Sequence, residues 1–184
     1  MDKINFTPFP DLKTERLNLR ELKDTDKTEI FALRSSESVM KFIARPRMEA
    51  MDEAQRLINR LNGGIANNEW IFWGITLKGE KKIIGTACIW NISEKDMRAE
   101  IGYDLMPEFQ GKGLMQEAVQ AVLDYGFNTL NLHSMEANIN PDNAASIKLI
   151  AKHNFIREAY FKENVFFGGQ FRDTVIYSLI NPGH

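Results

Sequence analysis

A glycine-rich turn that leads directly into an amphipathic helix constrains the fold of this chain more than any other segment. The turn occupies residues 110–113 (Gln-Gly-Lys-Gly), and apolar residues recur after it at helical spacing, at Leu114, Ala118 and Val122. The first turn of a helix exposes unpaired backbone N–H groups and the positive end of the helix dipole. Glycines let the main chain approach an anion without interference from side chains. We therefore expect a phosphate-binding site at this junction.

Three readings of the turn compete with one another. A P-loop requires lysine and Ser/Thr at the start of the helix in a longer spacing, but Leu114 follows Gly113. A dinucleotide fingerprint requires a third glycine where this chain has Gln116, and the turn follows a run of strands rather than opening a βαβ unit. Both nucleotide sites are disfavoured, which leaves another phosphate site or a tight turn without a ligand.

The pattern along the rest of the chain predicts alternating strands and helices. Aromatic and β-branched residues predict strands at 70–77 and 83–92, joined by a turn at 78–81, and a third strand at 99–106. Further strands are predicted at 16–22, 132–139, 155–161 and 171–180, and helices after Asp24, from about residue 49, at 114–127 and at 143–152. The order β-α-α-β-β-β-α-β-α-β-β predicts an α/β (α+β) fold with helices on the faces of a mixed sheet.

Composition and charge narrow the compartment and the partners. The formal net charge is -2, so no global basic field predicts nucleic-acid binding. Cys88 is the sole cysteine, which excludes an intramolecular disulfide and favours a reducing compartment. Three scattered histidines predict no metal site. With no signal sequence at residues 1–8 and no membrane-spanning run, we expect a cytoplasmic protein with one domain over residues 1–184.

Four motifs in order carry a family resemblance from about residue 11 to residue 181. The first three are the segment 14–20 (Thr-Glu-Arg-Leu-Asn-Leu-Arg), the segment 101–109 that leads into the turn, and the turn itself. The fourth is Asn143 with Ser146, on a second helix that follows the helix after the turn and one further strand. Together they resemble the GNAT superfamily of N-acetyltransferases. The first two are similar to its RimJ/RimL branch, whose known members acetylate amino termini of ribosomal proteins.

The resemblance implies a fold and a co-substrate. It implies a mostly antiparallel twisted sheet of about seven strands with four helices, in which two strands splay apart and the pantetheine arm of acetyl-CoA inserts between them. Asn143 would bond the cofactor arm. Backbone groups would hold the pantetheine at Asp104, Leu105 and Met106, and the pyrophosphate at Gln110, Gly111, Lys112, Gly113, Leu114 and Met115. The family pattern ends in Gly or Ala at the last position, so the side chain of Met115 must point away from the phosphates.

Catalytic residues are expected on the strand before the turn and on the helix after the next strand. Glu100 is the candidate base, because its strand leads into the cofactor loop; the alternative is a solvent-facing carboxylate. Ser146 is the candidate acid or thiol-contacting hydroxyl, by resemblance; the alternative is a hydroxyl that bonds its own helix backbone. The branch's glutamate, expected ten residues after the phenylalanine that follows this helix, is replaced by Val165. Three alternatives for the base therefore stay open: Glu158, Glu163, which we expect on a mobile loop, and a water relay.

Two functions of different classes follow. The first is transfer of an acetyl group from acetyl-CoA to a primary amine, either a protein N-terminal α-amine or a small-molecule amine such as a polyamine, aminoglycoside or amino acid. The second is a catalytically silent acyl-CoA-binding module. A homodimer is compatible with either.

Overall fold

The computed structural model describes residues 4–183, which form one sheet with helices on both faces. Within these residues the strands are β1 (Leu12–Lys13), β2 (Leu17–Arg20), β3 (Ile71–Leu77), β4 (Ile83–Ser93), β5 (Arg98–Leu105), β6 (Ser134–Ile139), β7 (Ile156–Phe167) and β8 (Gln170–Ile180). They are ordered β1-β2-β3-β4-β5-β6-β8-β7. Every neighbouring pair is antiparallel except β5 and β6, which are parallel.

Helices cover the two faces of this sheet. They are α1 (Lys27–Ser35), α2 (Glu37–Met40), α3 (Met51–Ala66), α4 (Leu114–Asn128) and α5 (Ala144–Ala151). The apolar stripe of α3 is buried at Ala54, Ile58 and Leu61 with residues of α1, in a core separate from the larger one. That larger core contains the buried face of α4 and Ile150 of α5. The predicted helical stripes therefore form two cores, one against each face of the sheet.

The predicted splay lies between the two parallel strands. β5 and β6 pair only at Arg98↔Ser134, Ala99↔Met135 and Glu100↔Glu136. Beyond Glu100, β5 continues to pair with β4 on its other side as far as Leu105, and β6 pairs with β8 as far as Ile139. Because parallel strands must share a continuous ladder to remain together, the two strands separate into a gap that opens beyond Glu100.

The sequence predicted the element types correctly but not every element. Seven strands and four helices were expected, whereas the described residues contain eight strands and five α-helices. The additional elements are β1, of two residues, and α2, of four, each too short to show a periodic pattern. The expected mobile loop at Glu163 is wrong, because β7 continues to Phe167 and Glu163 occupies a bulge in it with a φ of 52°.

Candidate active site

The turn before α4 presents backbone N–H groups to solvent. Gly111 and Gly113 adopt φ values of 73° and 76°, which side chains disfavour, and Gly113 is the N-cap of α4 without a side-chain cap. The N–H of Glu117 donates to the carbonyl of Gly113, so the amides of the first turn precede the first intrahelical bond. The side chain of Met115 is partly buried and packs against the core. The geometry fits an anion.

A carboxylate on α4 fixes this turn to the start of β2. Both the backbone N–H and the Nε of Arg16 donate to Glu117 at 2.7 Å, and the hydroxyl of Thr14 also donates to it. Arg16 Nη1 additionally donates to the carbonyl of Lys112 at 3.0 Å. Desolvation raises the pKa of Glu117, but the hydrogen bonds from Thr14 and Arg16 outweigh it and the pKa is lowered. The segment 14–20, noted for its resemblance, therefore holds the loop in place.

A groove of about 520 Å³ begins at this turn and follows the exposed side of α4. Gly113 and Gln116 line its first part, with the cations Lys13 and Arg16 along one wall. The carboxylates Glu117 and Asp124 line it farther along the helix, and His153 lies beside Gln120, whose Oε1 is 3.2 Å from the Nδ1 of the imidazole; burial lowers the pKa of His153. The groove gives an elongated ligand a path away from the turn.

The free edge of β5 faces the gap with alternating backbone groups. The N–H of Met106 donates to the carbonyl of Ile84 on β4, and backbone groups in a strand alternate sides. The backbones of Met106 and Asp104 therefore point to β4, whereas those of Leu105 and Tyr103 point into the gap. Gln110 supports this edge, since its Nε2 donates to the carbonyl of Leu105 at 2.9 Å.

The side chain of Asp104 has a structural role on the face covered by α1. Its Oδ2 lies 2.8 Å from Nη2 of Arg34, and its Oδ1 accepts hydrogen bonds from both the backbone N–H and the hydroxyl of Thr86. These contacts hold a carboxylate that is only 8% exposed. They join α1 to the end of β5 immediately before the turn.

Glu100 lies at the point where the strands separate and is buried, so the solvent-facing alternative is wrong. Burial raises its pKa to about 7, and Glu136, its partner in register on β6, adds to the rise. The side-chain amides of Asn138 and Asn91 favour the charged form, as does Arg45 to a smaller degree. Sequence reasoning missed these three residues. Only the residue type of Asn91 offered a partial signal in the sequence, because asparagine tolerates positive φ values better than most residues. In the structure Asn91 adopts a φ of 50° in the β4 bulge.

A pair of hydroxyls lies across the gap on the other face of β5. The hydroxyl of Tyr103 is 2.6 Å from that of Ser146, at the start of α5. Burial raises the pKa of Tyr103 to about 12, although the bond to Ser146 opposes this. Asn143 caps α5, with its Oδ1 accepting from the N–H of Ser146 at 3.1 Å. The Ser146 hydroxyl thus contacts Tyr103, which sequence reasoning missed, since the tyrosine comes from β5 rather than from α5.

The alternative bases lie away from the gap. Glu158 and Glu163 are exposed on β7, the edge strand, which β8 and β6 separate from β5. Glu158 accepts a hydrogen bond from Ser178, and the N–H of Glu163 donates to Asp173. At about 4.8 Å per strand, three strand spacings place β7 about 14 Å from β5 across the sheet. Of the three candidate carboxylates, Glu100 is therefore the one that the fold brings to the gap.

Other kinds of site find no support in the described part of the chain. Across residues 4–183, no three His, Cys, Asp or Glu side chains come together in a way that could hold a metal ion. No helix in that span is long and apolar enough to cross a membrane.

Comparison with known proteins places this geometry in a family. The model of the acetyltransferase (GNAT) domain matches residues 16–156. The uncharacterized N-acetyltransferase YoaA of Bacillus subtilis (strain 168) is 34% identical over 95% of this chain and 98% of its own. The ribosomal protein uS5-alanine N-acetyltransferase of Escherichia coli (strain K12) is 30% identical over 93% of this chain and 91% of its own.

A solved structure supports the same assignment. The spermidine N-acetyltransferase of Vibrio cholerae, in complex with CoA and spermine, superimposes with a TM-score of 0.81 and 25% identity, covering 91% of this chain and 97% of its own. Two features of the structure, the glycine turn before α4 and the gap between β5 and β6, are those that the resemblance to the matched family implied. The chain belongs to the GNAT family and is an N-acetyltransferase.

Proposed function

We propose that the protein transfers the acetyl group of acetyl-CoA to a primary amine, with Glu100 as the base. One observation carries the proposal: a buried carboxylate with a pKa of about 7 lies at the opening of the gap between β5 and β6. A general base works best when its pKa is near the operating pH, because it is then both ionised and basic enough to accept a proton.

The turn and the gap fit the two ends of acetyl-CoA, which supplies a thioester open to attack by an amine. The amides of residues 111–115 suit the pyrophosphate, because the N-terminus of α4 lacks a side-chain cap. The N–H of Gln110, which was also expected to take part, instead donates to the carbonyl of Pro107. Lys13 in the groove suits the remaining phosphate, whereas Arg16 is already paired with Glu117. The backbone groups of Leu105 and Tyr103 face the gap and suit the pantetheine amides. Those of Asp104 and Met106, which were expected to take part, instead point to β4.

Proton handling is divided between the two faces of β5. Glu100 and Tyr103 are three residues apart, so their side chains emerge on opposite faces of the strand. Glu100 accepts the proton of the attacking amine on the side covered by α1. The Tyr103–Ser146 hydroxyl pair is available on the α5 side to donate a proton to the departing sulfur, and Asn143 fixes the helix turn that carries Ser146.

The acceptor is a primary amine of moderate basicity in this proposal. An α-amine with a pKa of about 8 is roughly 10% neutral at pH 7, whereas a lysine amine with a pKa of about 10.4 is roughly 0.04% neutral. A base with a pKa of about 7 deprotonates the first far more easily than the second. The relative that acts on the alanine of ribosomal protein uS5 supports a protein N-terminal α-amine as the acceptor.

The test is turnover by Glu100→Gln beside matched variants on the edge strand. We expect kcat to fall by about 10²-fold or more, as for loss of a general base, while the Kd of acetyl-CoA changes little. Wild-type kcat should rise with pH through about 7, and the variant should lose this limb. Glu158→Gln and Glu163→Gln control for the same chemical change away from the gap.

Two results would count against this assignment. If Glu100→Gln retained wild-type kcat and pH profile, Glu100 would not be the base. If the wild type bound acetyl-CoA but acetylated no amine, the site would be a silent binding module.

A further inference from the structure

A second cavity, of about 260 Å³, lies between the end of α2 and the tip of the β7–β8 hairpin, and it is strongly basic. Lys41, Arg45 and Arg47 line it from the segment after α2, and Arg172 lines it from β8. The only carboxylate in its lining is Glu37. The cavity therefore has a net formal charge of +3, in a protein whose overall formal charge is -2.

Most of this charge is not neutralised by the protein. Arg47 has a loose, exposed ion pair with Glu37 at 3.6 Å. Lys41, Arg45 and Arg172 form no ion pair with any residue in the span 4–183. Lys41 lies over the ring of Phe42 and Arg172 over that of Phe167, which orients these cations without neutralising them. Clustered cations without ion-pair partners repel one another, so an anion that enters the cavity gains favourable interactions with several of them.

Arg45 connects this cavity to the proposed base. It is accessible to solvent, as in an open cleft, yet enough protein surrounds its guanidinium for burial to lower its pKa, with Arg34 and Arg60 adding to the effect. Arg45 and Glu100 attract each other electrostatically. Arg45 therefore lines the cavity and also lies close enough to Glu100 to act on it electrostatically.

We propose that this cavity selects acceptors that carry a carboxylate near the amine that is acetylated. The inference rests on the proposed function, because it assumes that the amine reaches Glu100. The amine lies at Glu100 and the carboxylate in the cavity, where Arg45, Arg172 and Lys41 attract it. Polycationic acceptors such as polyamines are repelled by the same charges. An acidic peptide terminus and a free acidic amino acid share this chemistry.

Initial-rate kinetics with matched acceptors test the proposal. Amidated tetrapeptides that begin with alanine carry two glutamates, two glutamines or two lysines, and free glutamate and spermidine complete the series. We expect kcat/KM to be about tenfold higher for the glutamate peptide than for the glutamine peptide, and lowest for the lysine peptide and spermidine. The difference should shrink in about 1 M salt, where the screening length is about 3 Å.

Variants assign the preference to the cavity. Arg172→Gln and Lys41→Gln should each lower the ratio of kcat/KM for glutamate and glutamine peptides by about threefold. Arg56→Gln, the same change on the exposed side of α3, should leave the ratio unchanged, and melting temperatures confirm that each variant is folded. Faster acetylation of the glutamate peptide than of free glutamate would identify the acceptor as an acidic protein N-terminus. The reverse would identify it as a small acidic amino acid. Both results support the inference.

Two outcomes overturn it and are distinguishable. Equal kcat/KM for the glutamate and glutamine peptides, or a preference for spermidine, overturns the charge selection and leaves the acetyltransferase assignment intact. Absence of turnover with every acceptor overturns the proposed function and, with it, this inference.

Discussion

The pKa of Glu100 predicts a stability effect that is independent of any assay of activity. In the folded protein this carboxyl has a pKa of about 7, compared with an ordinary value of 4.5. The folded chain therefore holds the proton more tightly than the unfolded chain does, and the free energy of unfolding decreases as the pH rises from about 4.5 to about 7. Each pH unit in this interval is worth up to about 1.4 kcal/mol, so the full interval amounts to about 3 kcal/mol.

Replacement of Glu100 by Gln removes this titration. Below about pH 4.5 both proteins are neutral at this position, and above about pH 7 only the wild type retains a buried charge. Glu100→Gln should consequently be more stable relative to wild type at pH 8 than at pH 5 by about 2 to 3 kcal/mol. Urea unfolding followed by tryptophan fluorescence at the two pH values measures this difference.

A control separates burial from loss of charge in general. Glu94→Gln makes the same chemical change at an exposed position between β4 and β5, and the Glu100 effect is measured relative to it. If the stability difference between Glu100→Gln and wild type were the same at pH 5 and pH 8, the carboxyl would not be held neutral by burial, and the reasoning for its role as base would fail.

Three further predictions concern the turn, the hydroxyl pair and the α1 contact. Gly113→Ala should weaken acetyl-CoA binding by about tenfold or more, because a side chain at a φ of 76° costs about 1–2 kcal/mol and distorts the N-cap. The control Gly79→Ala, at a φ of 84° in the β3–β4 turn, should lower stability but not affinity. Titration calorimetry that gave Gly113→Ala the wild-type affinity for acetyl-CoA would contradict this. Tyr103→Phe should lower kcat by about 10²-fold with little change in the Kd of acetyl-CoA, and an unchanged kcat would remove the hydroxyl pair from proton transfer. Arg34→Ala should destabilise the protein by about 3 kcal/mol because it leaves a buried carboxylate without its cation, whereas Arg56→Ala, from an exposed pair, should cost about 0.5 kcal/mol or less in urea unfolding.

The local parts of the site could be predicted from the sequence. The turn at 110–113 needs only neighbouring residues: glycines with positive φ, then a helix whose first amides lack a cap. The position of Glu100 on the strand before the turn was also readable, because strand and turn are contiguous. Its burial was not, since that depends on how α1 and the segment after α2 cover the sheet.

Contacts made by distant segments account for what sequence reasoning missed. Asn91, Asn138 and Arg45 come from β4, β6 and a loop, and only the folded sheet brings them near Glu100. Tyr103 reaches Ser146 across 43 positions of the chain. The backbone direction of Asp104 depends on its register with β4, which no local pattern specifies.

The most direct test of the central claim is whether the protein acetylates an α-amine through Glu100. Wild type and Glu100→Gln are incubated with acetyl-CoA and an alanine-terminated peptide, and the product is identified by mass spectrometry across pH 6 to 9. We predict an acetylated N-terminus whose rate of formation rises through about pH 7 in the wild type and falls by about 10²-fold in the variant. Acetylation at the same rate by both proteins, or acetyl-CoA binding without any acetylated product, would contradict the account.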